Sequence, residues 1–358
     1  MQDDDYLEVE SQQPAWGGCL LWMGRAALVT FGLALFLGLL GSIYESITFA
    51  RIARLYPPPG QLVEAGRGEL GAPYRLHLYC TGQGNPAVIL AAASGAWSLD
   101  WSLVQPQVAR FTRVCSYDRA GYGWSDSSPR PRTSQHIAEE LFQVLQNAAV
   151  EGPYLLVGHS FGGHTVRLLA HEHSAQVSGM VLVDARPEDI GERMPELREM
   201  LDRSISTYEL LGPLARLGLF QLSAFENPPQ YVDGFPPKIQ EQYRAIDYQE
   251  KFFDALAGEG AAMPESDAQV RTAGSFGDLP LVVITHDVPD WFPPGMEQGE
   301  RDRAEPLCQE QQGIFSEKLS SNGKLVVAQN TGHAIPETNP QVVVEAIRQM
   351  MSKITQGP

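Results

Sequence analysis

Cysteine is scarce in this chain of 358 residues. Only Cys19, Cys80, Cys115 and Cys308 occur, widely spaced and without a C-x-x-C pair. That excludes a disulfide-dense scaffold and a cysteine-rich zinc site, and no metal or cofactor is expected. Basic residues are few as well: 26 Lys plus Arg face 43 Asp plus Glu, a formal charge of −17. Such a field repels polyphosphate, so nucleic acid is not an expected partner. No Asn-x-Ser/Thr acceptor is present, and glycosylation therefore gives no hint of compartment. What the chain does have is apolar bulk. With 43% hydrophobic and 9% aromatic residues against 19% charged, it can bury a large core, which excludes disorder or fibrous repeats as whole-chain readings. The length fits one large α/β domain carrying an insertion.

Residues 26–44 (AALVTFGLALFLGLLGSIY) carry no charge. At 1.5 Å per residue this run crosses a hydrocarbon core of about 30 Å, which predicts a single-pass transmembrane helix that engages membrane lipid. A cleaved signal peptide fits less well, because the run is long and only Thr48-Phe49-Ala50 resembles a cleavage site. Trp16, Trp22 and Tyr44 supply interfacial aromatics, and Arg25 can snorkel. Arg25 before the run against Arg51 and Arg54 after it weakly favours a cytoplasmic main domain and leaves the membrane side open. Tyr56-Pro57-Pro58-Pro59-Gly60 cannot continue a helix. The expected order is a tail at 1–25, a span at 26–44 and a linker at 45–60.

Short apolar or β-branched runs follow at 74–80, 87–93, 113–118, 154–159, 178–185, 279–285 and 324–330, several without alternation, as strands buried on both faces require. Helical patterns at 133–148, 161–173 and 340–354 fall between them, with Thr133 or Ser134 and Asn339 placed to cap. Strand alternating with helix predicts a mostly parallel sheet covered on both faces, split into parts at 61–185 and 278–358. Between them, residues 186–277 lose the alternation and read as an inserted helical lid. Its Leu210, Leu211, Leu214, Leu217, Leu219, Phe220 and Leu222 are candidates to line an acyl pocket, to touch lipid headgroups, or simply to pack on the sheet domain.

Gly158-His159-Ser160-Phe161-Gly162 sits between a predicted strand and a predicted helix. As a bare pattern G-x-S-x-G is weak, but on a strand-to-helix turn it presents a nucleophilic serine between glycines that let the crowded elements approach. The Phe161 N–H, at the helix start, can donate to an oxyanion. A serine needs an adjacent base. His333 in Thr331-Gly332-His333 lies between the last predicted strand and the last helix, where a loop can swing an imidazole over the strand ends; His77, His136, His159, His164, His171 and His173 fit structural roles. The acid that orients the base is expected at Asp184, fixed at a strand terminus, with Asp287 and Asp290 as alternatives after the next strand. Ser94, with Gly95 as alternative, is the expected second oxyanion donor, from the loop after 87–93. Trp97 and Trp101 are equally pocket wall or core.

The order Ser160, Asp184, His333, the GHSFGG elbow and the TGH near the end resemble the α/β-hydrolase superfamily over roughly residues 60 to 355. Tyr117-Asp118-Arg119-Ala120-Gly121-Tyr122-Gly123-Trp124-Ser125 is similar to a structural D-R-x-G-x-G-x-S segment of many members. The resemblance implies an eight-stranded, mostly parallel sheet, a lid after the sixth strand, and an acid after either the sixth or the seventh. It also sets the strands holding Cys80 and Cys115 side by side, where two buried thiols are favoured over a bridge. Ser160 in place of an aspartate argues against dehalogenase and epoxide-hydrolase chemistry, while Ala92-Ala93-Ser94-Gly95 departs from the usual His-Gly oxyanion loop. The expectation is a serine hydrolase acting on a small-molecule substrate, foremost a carboxylesterase on small or medium acyl esters. Acyltransferase, thioesterase and amidase chemistry use the same residues, and a non-catalytic binding protein would keep the pocket alone.

Overall fold

Each of the seven apolar runs becomes a strand, and one further strand precedes them. The computed structural model describes residues 16–68, 71–217, 234–247, 249–290 and 296–356. Its strands are β1 Gln61–Arg67, β2 Pro73–Thr81, β3 Ala87–Ala91, β4 Val114–Tyr117, β5 Tyr154–His159, β6 Val177–Val183, β7 Leu281–His286 and β8 Gly323–Ala328. They form one eight-stranded sheet in the order β1-β2-β4-β3-β5-β6-β7-β8. The β1–β2 and β2–β4 pairs are antiparallel and the remainder parallel. Every residue of β3, β5 and β7 is buried, the burial that helices on both faces impose. β1 escapes a search for apolar runs because it is an edge strand reading QLVEAGR.

Helices α2 (Ser134–Asn147) and α3 (Gly162–Glu172) cover one face, and α9 (Pro340–Gln356) covers the other. Leu141, Leu145 and Leu169 pack into the first core layer, and Val343, Ile347 and Met350 into the second with Trp101 and Val104. Thr133 caps α2, its Oγ1 accepting from the His136 N–H. Between β6 and β7 lie α4 (Pro195–Arg216), α5 (Pro237–Ile246), α6 (Glu250–Ala261) and α7 (Met263–Thr272), with no strand among the described residues. Leu219, Phe220 and Leu222 lie outside those residues. Helix α8 (Gln298–Lys318) joins β7 to β8, a stretch for which the sequence pattern names no element.

Helix α1 runs from Trp16 to Leu55 and contains a stretch, Trp22–Leu55, long and apolar enough to cross a bilayer. It continues through 45–55, ground the sequence reading gave to a linker, because that stretch holds neither Pro nor Gly; the prolines from Pro57 end it. Its end is docked on the domain. Ile52 and Tyr56 pack against the buried cluster of Trp97, Tyr122 and Tyr243, and Trp124 Nε1 donates to the Tyr56 carbonyl at 2.9 Å.

Cys80 and Cys115 face each other across the antiparallel β2–β4 pair and form a disulfide. The two-thiol reading is corrected: directly opposed positions on neighbouring strands bring the Cβ atoms within bridging reach. Cys308 is free and buried.

Candidate active site

Ser160 stands where β5 turns into α3, with φ at +50°, a left-handed conformation unusual for a residue with a side chain. Three backbone bonds hold it there: its N–H donates to the Val183 carbonyl, and its own carbonyl accepts from Gly163 and Arg186. The flanking glycines are sterically required. A Cβ on Gly162 would stand 2.2 Å from the Ala91 carbonyl oxygen, and one on Gly158 would stand 2.6 Å from the Gly162 carbonyl oxygen. Phe161 caps α3, so its N–H lies outside the helix's hydrogen-bond ladder.

Asp184 follows β6 directly, also at positive φ (+44°), its N–H donating to the Ile284 carbonyl across to β7. Its Oδ2 lies 2.5 Å from His333 Nδ1. The alternatives do something else: Asp290 Oδ1 accepts from the His333 backbone N–H at 2.7 Å, and Asp287 Oδ1 accepts from the Thr331 N–H at 2.9 Å. Both brace the loop that carries the imidazole. Asp290 fits under that loop because Gly332 has no side chain; a Cβ there would overlap its carboxylate. Ser160, Phe161, Asp184, His333 and Ser94 line one cavity of about 410 Å³, roofed by lid residues that include Leu201, Ile205 and Leu256. Among the described residues the lid's part of the wall comes from α4 between Leu197 and Tyr208, with Leu256 and Gly260 of α6 and Met263 and Asp267 of α7; Leu210, Leu211, Leu214 and Leu217, singled out in the sequence, do not line it.

The approach of Ser94 is fixed from behind. Arg119 Nη1 and Nη2 donate at 2.8 Å to the carbonyls of Ala92 and Ala93, and its Nε donates at 2.7 Å to Glu259 of α6. Glu259 also accepts from Ser94 Oγ and from the Tyr122 hydroxyl. The D-R-x-G segment thus clamps the loop to the lid through a fully buried ion pair. Trp97 and Trp101 are fully buried core, and neither lines the cavity.

A second imidazole, passed over in the sequence, shares the same carboxylate. His286 closes β7, buried, with Nδ1 2.7 Å from Asp184 Oδ2 and Nε2 3.2 Å from Glu305 Oε2 on α8. Burial disfavours its charge, but hydrogen bonds to the two carboxylates outweigh that and push its pKa up to about 10. Burial also opposes the Asp184 charge, and the His286 and His333 hydrogen bonds overcome it, holding the carboxyl well below its usual range. His159, under the site, donates from Nε2 to the His333 carbonyl at 2.9 Å and is kept neutral by burial, its pKa lowered to about 3. Asp184, His286 and His333 turn ligand-type atoms within 4.8 Å of one another, and the two hydrogen bonds at Asp184 account for that grouping.

A family model described as the alpha/beta hydrolase family matches residues 84–346. This chain belongs to the α/β-hydrolase family. A thermophilic esterase from Thermogutta terrifontis shares the fold, with a TM-score of 0.59 at 21% identity over 82% of this chain and 99% of its own. Among sequence relatives, a probable transporter from Hormonema carpetanum is 26% identical over 74% of this chain. An uncharacterized vacuolar membrane protein from Saccharomyces cerevisiae is 33% identical over 27% of it. The chain covers 39% and 15% of the lengths of those two relatives.

Proposed function

We propose that this chain is a serine hydrolase, anchored by a single transmembrane helix, that cleaves carboxylic esters. The observation that carries the reading is the 2.5 Å contact between Asp184 Oδ2 and His333 Nδ1, made where His333 and Ser160 line one cavity. With Nδ1 tied to a carboxylate, Nε2 is the nitrogen that serves as base. Ser160 Oγ attacks the ester carbonyl carbon as its proton passes to His333 Nε2. The resulting oxyanion is met by the N–H groups of Phe161 and Ser94, which need no reorganisation at that moment. The C–O bond to the alcohol then breaks, the alcohol takes the proton from the imidazolium, and an acyl-enzyme remains. Water, deprotonated by His333, attacks that acyl carbon, releases the carboxylic acid and restores Ser160, so that one ester and one water give one acid and one alcohol.

The Cys80–Cys115 bridge favours an oxidising compartment for the catalytic domain, against the weak arginine bias around α1. The test of the chemistry is direct. Treatment with a fluorophosphonate should add its mass at Ser160, and p-nitrophenyl ester turnover should disappear in Ser160→Ala. Folded protein that gains no adduct and turns over no ester would instead be a binding protein that uses the pocket without chemistry.

A further inference from the structure

Helix α4 connects the cavity to the anchor. Its first turns direct Leu197, Leu201, Ile205 and Tyr208 to the cavity that holds Ser160. About 14 Å further along the axis, nine residues at 1.5 Å each, its end meets α1. The Leu217 carbonyl oxygen lies 2.5 Å from where a Cβ on Gly41 would stand, and Leu217 Cδ2 lies 3.5 Å from where one on Gly38 would stand. Only glycine at position 41 permits that approach.

Gly38 and Gly41 lie inside the uncharged run that ends at Tyr44, so Leu217 touches α1 roughly 4 to 9 Å inside its apolar boundary. The boundary itself is marked by charge. Glu45, the first ionisable residue after the run, is buried, and close by Arg216 pairs with Glu250 of α6 at 2.7 Å. The last two turns of α4 and the capping Leu217 read Leu210-Leu211-Gly212-Pro213-Leu214-Ala215-Arg216-Leu217, and Leu210 and Leu217 expose 65% and 36% of their surface. Water is a poor medium for that stretch, and it abuts a helix suited to hydrocarbon.

Resting on the serine-hydrolase and anchor readings above, we propose that the C-terminal end of α4 is seated in the membrane interface beside α1 and that the cavity takes its substrate, an apolar carboxylic ester, from the bilayer. The lid then belongs to the membrane surface, and Tyr208, Ile205 and Leu201 of α4 lead from the lipid side toward Ser160.

The full-length protein in phosphatidylcholine vesicles tests both halves. An environment-sensitive fluorophore on Leu217→Cys should emit blue-shifted and be quenched by lipids carrying a shallow nitroxide, while one on Glu151→Cys, exposed in the turn that enters β5 at the end of that strand opposite Ser160, should report water. Leu210→Glu with Leu217→Glu should cut kcat/KM for 4-methylumbelliferyl decanoate dissolved in the vesicles at least tenfold and leave 4-methylumbelliferyl acetate within twofold. A Leu217 label in water overturns the proposal, as does an equal effect on both esters. A label that is shielded yet unquenched, in a protein that is dimeric in detergent, assigns the leucines to a second copy and overturns it too. Absence of any fluorophosphonate adduct in the wild type sinks the hydrolase reading and the substrate half with it, while the depth measurement still decides where Leu217 sits.

Discussion

Replacing His286 by Gln removes a cation that contacts Asp184 Oδ2, the same oxygen that His333 contacts. Around His286 stand Asp184 after β6, Glu305 and Cys308 on α8, Asp287 next in the chain, and His333 on its loop; the two carboxylates in hydrogen-bond contact, Asp184 and Glu305, keep it charged at neutral pH. The His286 and His333 rings are 6.5 Å apart. Two unit charges at that distance repel by about 2.5 kcal/mol at an effective dielectric of 20 and by about 0.6 kcal/mol at that of water. At about 1.4 kcal/mol per pH unit, loss of the cation should raise the acid limb of kcat/KM by about 0.5 to 2 pH units. Glu305→Gln should move the same limb down, by less, because its carboxylate lies beyond His286. Stability follows with its own sign. A histidine whose pKa rises from 6.5 unfolded to about 10 folded contributes fully below pH 6.5 and loses that contribution as pH climbs through 10. Asp184, depressed below 3.8, loses its contribution as pH falls. The melting temperature should therefore decline on the alkaline side in the wild type and decline less in His286→Gln. The assay is kcat/KM for a water-soluble ester across the acid and neutral range, with thermal melts on the same samples. Acid limbs that stay put in both variants, or that move the same way, would show that His286 only fills space.

Three further outcomes follow from the geometry. Asp184→Asn should lower kcat about 10⁴-fold, whereas Asp290→Asn, which only weakens a brace on the His333 N–H, should cost tenfold or less; the reverse order of the two losses would move the orienting role to Asp290. Breaking the disulfide in Cys80→Ser should cost about 4 kcal/mol in urea unfolding, as expected for a closed loop spanning 35 residues, and free thiols in non-reducing mass spectrometry of the wild type would contradict the bridge. Gly162→Ala pushes a methyl against the Ala91 carbonyl and should destabilise by about 1 to 3 kcal/mol with a loss of turnover, so an unchanged melting temperature would disprove the elbow's tight fit.

Much of this fold was legible because buried parallel strands advertise themselves. β3, β5, β6 and β7 are runs with almost no polar residue, and the turn between β5 and α3 carries its glycines for reasons of contact distance that hold wherever such an elbow forms. β1 and α8 were illegible for the opposite reason. β1 sits at a sheet edge with one face in water, and α8, reading QGERDRAEPLCQEQQGIFSEK, has too few apolar residues to show a helical stripe. That silence had a consequence for the site. With α8 unseen, Glu305 has no place, and His286 falls one residue beyond the apolar run at 279–285. Yet a signal was there: in a parallel sheet the residues that end β6 and β7 lie side by side, so Asp184 and His286 were bound to be neighbours once both strand ends were fixed. The carboxylate that the sequence offered as a partner for one imidazole had to be shared between two. Its charge is therefore partly neutralised from the β7 side by a histidine that Glu305 of α8 also holds, so α8 reaches the site through His286.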